Sequence, residues 1–483
     1  MRSSSFFLLV AMAWCGAGCH AAKSSAPPAQ APLAVTGASP GEPLPVASDL
    51  LTLETAAGNR FVRADQRSEA LVRVRIHGQK LRDARRPPVN LGLVVDTSGS
   101  MEGDAIRDAR AASLVLLESL SEGDRLSVVT FDSNPTVLVP ATRLDKETTA
   151  MIKEKIGTMK AQGTTDLAGG LRAGLAQVLA GFEANGVNRI VLLGDGVPND
   201  EPAVIPIARQ AASRMVPVTV LGLGVDYNET LMNQIAQQSG GKYHFVRDSS
   251  AVAAVFKDEL VRVKRVVARN TQLRLRPGPG VTIDEVVGVP ANPSGNDTYV
   301  PLGDVSEGEH RDVVVRLSVS ARRAGSPVEM IDVEASFDRV AGGTRLTEQT
   351  FVGARASADA REIAGALDND VQRTAAHARV ASKIVRAIAL ARAGSLTEAR
   401  SLLDDAERDA RASAKTFDDA SLEEKAKTIA PLRKELATLV PPLAPIAGPT
   451  SPGGHPRPIP PTRSPAPQIY ESQAAAVDTL QGS

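Results

Sequence analysis

Two cysteines in 483 residues, Cys15 and Cys19, exclude a disulfide framework for the body of the chain. Surplus charge is also missing, since 55 basic residues balance 55 acidic ones. Aromatics make up only 3% of the chain and no basic stripe interleaves with them, so no nucleic-acid partner is expected. A local basic run exists at Arg73, Arg75, Lys80, Arg82, Arg85 and Arg86, but its first members alternate with apolar residues, as on the wet face of a strand. The histidines (His20, His77, His244, His310, His377, His455) are scattered, and neither an HExxH motif nor a phosphate-binding loop occurs. With no base or nucleophile in a recognisable setting, the expectation is that the chain is not an enzyme.

Apolar runs long enough for a membrane span are absent as well. The N-terminus is a short export signal: Arg2 supplies its charge and residues 6–14 its apolar segment. It ends in Ala17-Gly18-Cys19, which resembles a bacterial lipobox, with Gly16 where Leu is usual. That resemblance implies lipidation of Cys19 after cleavage. The expected address is then the bacterial cell envelope, lipid-anchored to a membrane, the outer membrane in the first instance.

What is present centres on Leu91-Gly92-Leu93-Val94-Val95-Asp96-Thr97-Ser98-Gly99-Ser100. A near-continuous apolar run reads as a strand buried on both faces. The turn after it sits at the carboxyl end of a central strand, where ligands bind in open α/β sheets. Asp96, Ser98 and Ser100 alternate, so a tight loop can aim one carboxylate and two hydroxyls at one point. An all-oxygen set suits a hard cation.

These residues resemble the D-x-S-x-S motif of the von Willebrand factor type A domain, in that family a metal-ion-dependent adhesion site. The resemblance implies a Thr and an Asp from two later loops. Gly163-Thr164-Thr165-Asp166-Leu167 matches the Thr loop, with Thr165 as the ligand and Thr164 as the alternative. Asp195, directly after an apolar strand, matches the Asp loop, and Gly194 stands where the family often has Thr or Ser. Implied further are direct metal ligation by Ser98, Ser100 and Thr165, and support from Asp96 and Asp195 through waters and hydrogen bonds. The expected cofactor is Mg²⁺ or Mn²⁺. The implied function is metal-dependent capture of a protein ligand that presents Asp or Glu to the metal.

Length suggests roughly three domains. Residues 1–19 are the signal and 20–49, rich in Ala, Pro and Ser, a disordered tether. Residues 50–86 hold alternating strands, with residues 51–54 and 60–62 as partners for residues 71–76. Residues 87–263 form an α/β domain, a doubly wound, mostly parallel, Rossmann-like sheet of the A type. Residues 264–355 read as all-β, and the strands of 50–86 are expected to complete them into a β-sandwich. Residues 357–440 are helical, with capping boxes expected at Ser395 and Ser421. Residues 441–483 read as a Pro-rich disordered tail. A non-catalytic scaffold in envelope assembly, acting through the helical region and tail, is the alternative function.

Overall fold

Strand Val89–Asp96 is buried along its whole length. It lies between two parallel neighbours, Arg125–Phe131 and Val187–Gly194. Val218–Leu223 and Tyr243–Val246 extend the sheet in parallel on the second side, and the antiparallel edge Pro135–Arg143 closes the first. This is the doubly wound α/β sheet expected from the alternation of apolar runs and helical patterns. The computed structural model describes residues 46–47, 50–80, 87–194, 201–223, 228–246, 252–340, 343–436 and 467–481. The expected signal, Cys19, Asp195 and residues 437–466 of the tail lie outside the described residues.

Alternation along Val89–Asp96 feeds two apolar layers. Leu91, Leu93 and Val95 meet Ile106 and Leu116 of helix Asp104–Ser119 on one face. Val94 meets Leu171, Leu175 and Val178 of helix Leu167–Ala180 on the other. That second helix lies unusually close to the sheet. A Cβ at Gly174 would stand 2.3 Å from Val94 Cγ2, and one at Gly170 2.5 Å from Phe131 Cδ1. Glycine at these positions lets the helix approach, and the helix carries the Thr loop at its start.

The all-β part is two sheets packed face to face. One runs Val46–Ala47, Leu51–Ala57, Ser68–Gly78, His310–Val319, Val281–Val286. The other runs Asn292–Ser294, Asp297–Ser306, Val266–Pro277, Pro327–Arg339, Arg345–Ser357, Phe61–Arg63. Ser68–Gly78 pairs along its length with His310–Val319, so chain from before and after the α/β domain shares one sheet. Val72, Val74 and Ile76 face Leu273, Leu275 and Val333 in the core between the sheets. Phe61–Arg63 departs from expectation. It joins the opposite sheet, parallel to the end of Arg345–Ser357.

The face carrying Arg73 and Arg75 is not wet, which corrects the reading of that basic run. Helix Asn369–Arg392 covers it, with Leu71 packed near Ala375. Arg73 is 8% exposed and pairs with Asp370 of that helix, while Arg75 pairs with Asp312 at 2.7 Å. Alternation therefore marked the two faces correctly but could not say what covered the second.

Helices Leu396–Phe417 and Ala420–Leu436 continue the helical region. Neither expected capping box forms. Ser395 makes no side-chain cap bond, and Asp419 rather than Ser421 receives the Ser421 and Leu422 N–H groups, at 2.9 and 3.2 Å. The tail also needs correcting, because Pro467–Gln481 is helical. Ile469, Gln473, Ala476, Val477 and Leu480 recur at helical spacing and are buried against the helical region and the α/β domain. Among the described residues no helix is long and apolar enough to cross a membrane.

A buried ionic seam joins the amino ends of the α/β strands to the sandwich. Arg189 bonds Glu259 and reaches Asp304 at 2.8 Å, and Thr219 donates to Glu259 at 2.8 Å. Lys242 and Arg311 flank Glu309 at 2.7 and 2.9 Å. Burial pushes the Glu309 carboxyl up, but Arg311 and Lys242 outweigh it and hold the group at about 2, below its ordinary 4.5. Glu259 is shifted down in the same sense, against its own burial, by His244 and Arg189.

Two outcomes follow from this packing. Gly174→Ala should lower unfolding stability by about 1–3 kcal/mol in urea titrations, although alanine is the better helix former, because its methyl overlaps Val94. An unchanged midpoint would show that Val94 yields. A carboxyl held below its unfolded value adds stability that is complete above that value and disappears as pH falls through the folded one. Stability should therefore fall between pH 4.5 and about 2, and less steeply in Glu309→Gln than in the parent. Equal slopes would show that Glu309 is not ionised in the fold.

Candidate functional site

The site is built on the carboxyl end of Val89–Asp96, between neighbours reached by crossovers in opposite directions. That is the switch point where a doubly wound sheet leaves a crevice. Asp96 closes the strand and is 1% exposed. A buried carboxylate needs compensating donors. Its Oδ1 accepts the Ser98 N–H at 2.8 Å, which bends the chain into a tight turn.

The turn continues as a single 3₁₀ turn, Gly99–Met101, with Met101 N–H donating to the Ser98 carbonyl at 3.0 Å. Met101 is fully buried and anchors the turn in the α/β core. Ser98, 2% exposed, and the exposed Ser100 thereby come together, Oγ to Oγ, at 3.0 Å. Adjacent oxygens around an octahedral Mg²⁺ are separated by about 2.9 Å, given bonds of about 2.0–2.1 Å. The donor set and this spacing fit a small divalent cation.

The Thr loop is laced to the same turn through backbone. Gln162 N–H donates to the Thr97 carbonyl at 2.7 Å, and Gly99 N–H to the Gly163 carbonyl at 3.1 Å. Thr165 is 8% exposed, whereas Thr164 is exposed, with its Oγ1 3.2 Å from Ser133 Oγ. Burial therefore separates the two threonines of this loop. Asp166 is occupied as the N-cap of Leu167–Ala180, accepting Gly169 N–H at 2.8 Å.

A third loop, Asp132-Ser133-Asn134, reads in sequence only as a turn between two strands, yet it braces the site. Asp132 carbonyl accepts the Asp166 N–H at 2.7 Å and its Oδ2 the Gln162 amide at 2.8 Å. Ser133 Oγ accepts the Thr164 N–H at 3.0 Å. The cue available in sequence was a polar loop at the carboxyl end of the strand next to the central one.

Of the expected residues, Asp96, Ser98 and Ser100 come together on one turn, and the loop bearing Thr165 is bonded to it. Asp195 lies outside the described residues. Gly194, the last described residue before it, backs onto the site. A Cβ there would stand 3.3 Å from both Cβ and Oδ2 of Asp96, so the absence of a side chain leaves the carboxylate uncrowded. Among the described residues no group of three or more His, Cys, Asp or Glu gathers as a metal centre. The site's donors are of another kind, hydroxyls around one carboxylate.

Comparison with known proteins agrees with this geometry. Residues 90–258 match the von Willebrand factor type A domain family, and that stretch is such a domain. An uncharacterised protein of Synechocystis sp. is 28% identical over 271 residues, covering 54% of this chain and 64% of that protein. The uncharacterised protein YfbK of Escherichia coli is 28% identical over 265 residues, covering 53% of this chain and 46% of that protein. This chain thus spans about half to two thirds of the length of these curated relatives. A solved von Willebrand factor type A protein from Catenulispora acidiphila superposes with a TM-score of 0.66 over 92% of this chain and 99% of that one, at 18% identity, which establishes shared fold.

Proposed function

We propose that the von Willebrand factor type A domain of residues 90–258 makes this chain a metal-dependent protein-binding module of the bacterial cell envelope. The observation that carries the reading is the 3.0 Å approach of the Ser98 and Ser100 hydroxyls beside the Asp96 carboxylate. Ser98, Ser100 and Thr165 are the proposed direct ligands of Mg²⁺ or Mn²⁺, with Asp96 and Asp195 as supporting carboxylates. A cation held there would offer a coordination position to an Asp or Glu of the partner.

The chain's own residues fix the rest. Backbone bonds hold the two hydroxyl-bearing loops in register before any ligand arrives, which limits the ordering cost of binding. Asp132, Gln162 and Thr164 form a polar rim around the site and are the groups placed to choose among acidic partners. The site lies at the carboxyl ends of the strands, while the ionic seam ties down their amino ends. A partner would reach the site from the side of the exposed Ser100 and Thr164. Lipidation at Cys19 would present that face from a membrane, with residues 20–49 as the tether.

Calorimetric titration of Mg²⁺ and Mn²⁺ into the full chain should give one-site binding, and the double variant Asp96→Ala, Ser98→Ala should lose it with little change in thermal unfolding. Thr165→Ala should weaken the metal by about tenfold or more, and Thr164→Ala by less than about twofold. A parent chain that binds neither ion would sink the reading. With metal bound, retention on peptide arrays should require Asp or Glu and be abolished by chelation. Cys19→Ala should stop incorporation of labelled fatty acid and move the protein out of the membrane fraction. Continued labelling would refute the anchor.

A further inference from the structure

Far from the metal loop, where the sandwich meets the helical region, a cavity of about 470 Å³ opens to solvent. Its volume is that of a small-molecule site. Its walls are fixed by bonds across the joint. Asn59 Nδ2 donates to the Ile363 carbonyl at 2.7 Å, Gln372 Nε2 to the Gly58 carbonyl at 3.0 Å, and Asp368 N–H to the same carbonyl at 3.1 Å. The cavity therefore exists without a ligand to shape it.

The lining combines an apolar side with cations. Phe61, Leu71, Ile363 and Leu367 supply the first, and Leu367 stands 51% exposed at the rim, an unusual place for a large apolar side chain. Arg63, Arg67 and Arg379 supply the second. The acid on the wall, Glu69, is drawn toward Arg316, 3.7 Å away and outside the cavity. Arg67 has only a long contact to Asp284, at 3.9 Å with its side chain 70% exposed. Among the described residues Arg63 and Arg379 enter no ion pair. On the strand beside the cavity Arg73 is matched by Asp370 and Arg75 by Asp312.

We propose that this cavity binds a small anionic amphiphile, a carboxylate with a short apolar body. Its head would pair with Arg63 and Arg379, and its body would cover Phe61 and Leu367. The guanidinium fork suits a planar carboxylate bidentately. Covering Leu367 removes apolar surface from water. Neither the metal loop nor the α/β domain takes part, so the proposal is independent of the metal-binding reading.

The test titrates octanoate, acetate and 1-octanol into the full chain by calorimetry. Octanoate should bind with one-to-one stoichiometry, and acetate and octanol at least about tenfold more weakly, since each lacks half of the recognition. Arg63→Gln, Arg379→Gln should weaken octanoate by about tenfold with the thermal midpoint unchanged. Leu367→Ser should weaken octanoate but not acetate, which separates loss of the apolar contact from loss of fold. Failure of octanoate to bind, equal binding of octanol, or a double variant with parental affinity would overturn the proposal.

Discussion

A carboxylate at the end of a strand with no solvent face governs the architecture. Asp96 must be satisfied where it stands, and the amide two residues on donates to it. Accepting that bond closes the turn, drives Met101 into the core and sets Ser98 against Ser100. The neighbouring loops then bond to this turn rather than to one another alone. The result is a rigid cluster of oxygens obtained from backbone geometry, which side-chain rotamers by themselves would not hold so firmly.

The two ends of the α/β sheet are put to different uses. At the amino ends, Arg189, Glu259, Asp304, Lys242, Glu309 and Arg311 form a buried network across to the sandwich. Such networks add little net stability over a well-packed apolar contact, because desolvation offsets attraction. They do demand a single geometry, since a shift of the domains would leave charges buried and unpaired. The α/β domain is accordingly fixed in orientation on its base, with its carboxyl-end loops directed away from the seam.

The helical region completes the molecule as cover. Helix Asn369–Arg392 shields the outer face of the sheet that carries Arg73, and helix Pro467–Gln481 packs into the cores of both the helical region and the α/β domain. Lys425 of helix Ala420–Leu436 donates to Thr479 of Pro467–Gln481 at 2.8 Å. Cap positions here show the limit of local motifs. Ser421 sits in a capping box by spacing, yet Asp419 takes the role, and the same carboxylate also meets His377 at 2.8 Å. A carboxylate accepts several bonds at once, and the fold used it for two.

Period and residue type were enough, in the sequence alone, to mark Val89–Asp96 as a buried strand, to locate the hydroxyl-bearing turn after it, and to separate the core and outer faces of Ser68–Gly78. Those features are local, because alternation and burial are written in adjacent residues. Tertiary structure alone decided the rest. It buried Thr165 and gave the Thr164 hydroxyl to Ser133, recruited the Asp132 loop as a brace, sent Phe61–Arg63 to the far sheet, and covered Arg73 with a helix from nearly 300 residues away. Each of these depends on which surface arrives from elsewhere in the chain. A residue's own neighbours carry no record of that, since the same alternation serves equally well against water or against a helix.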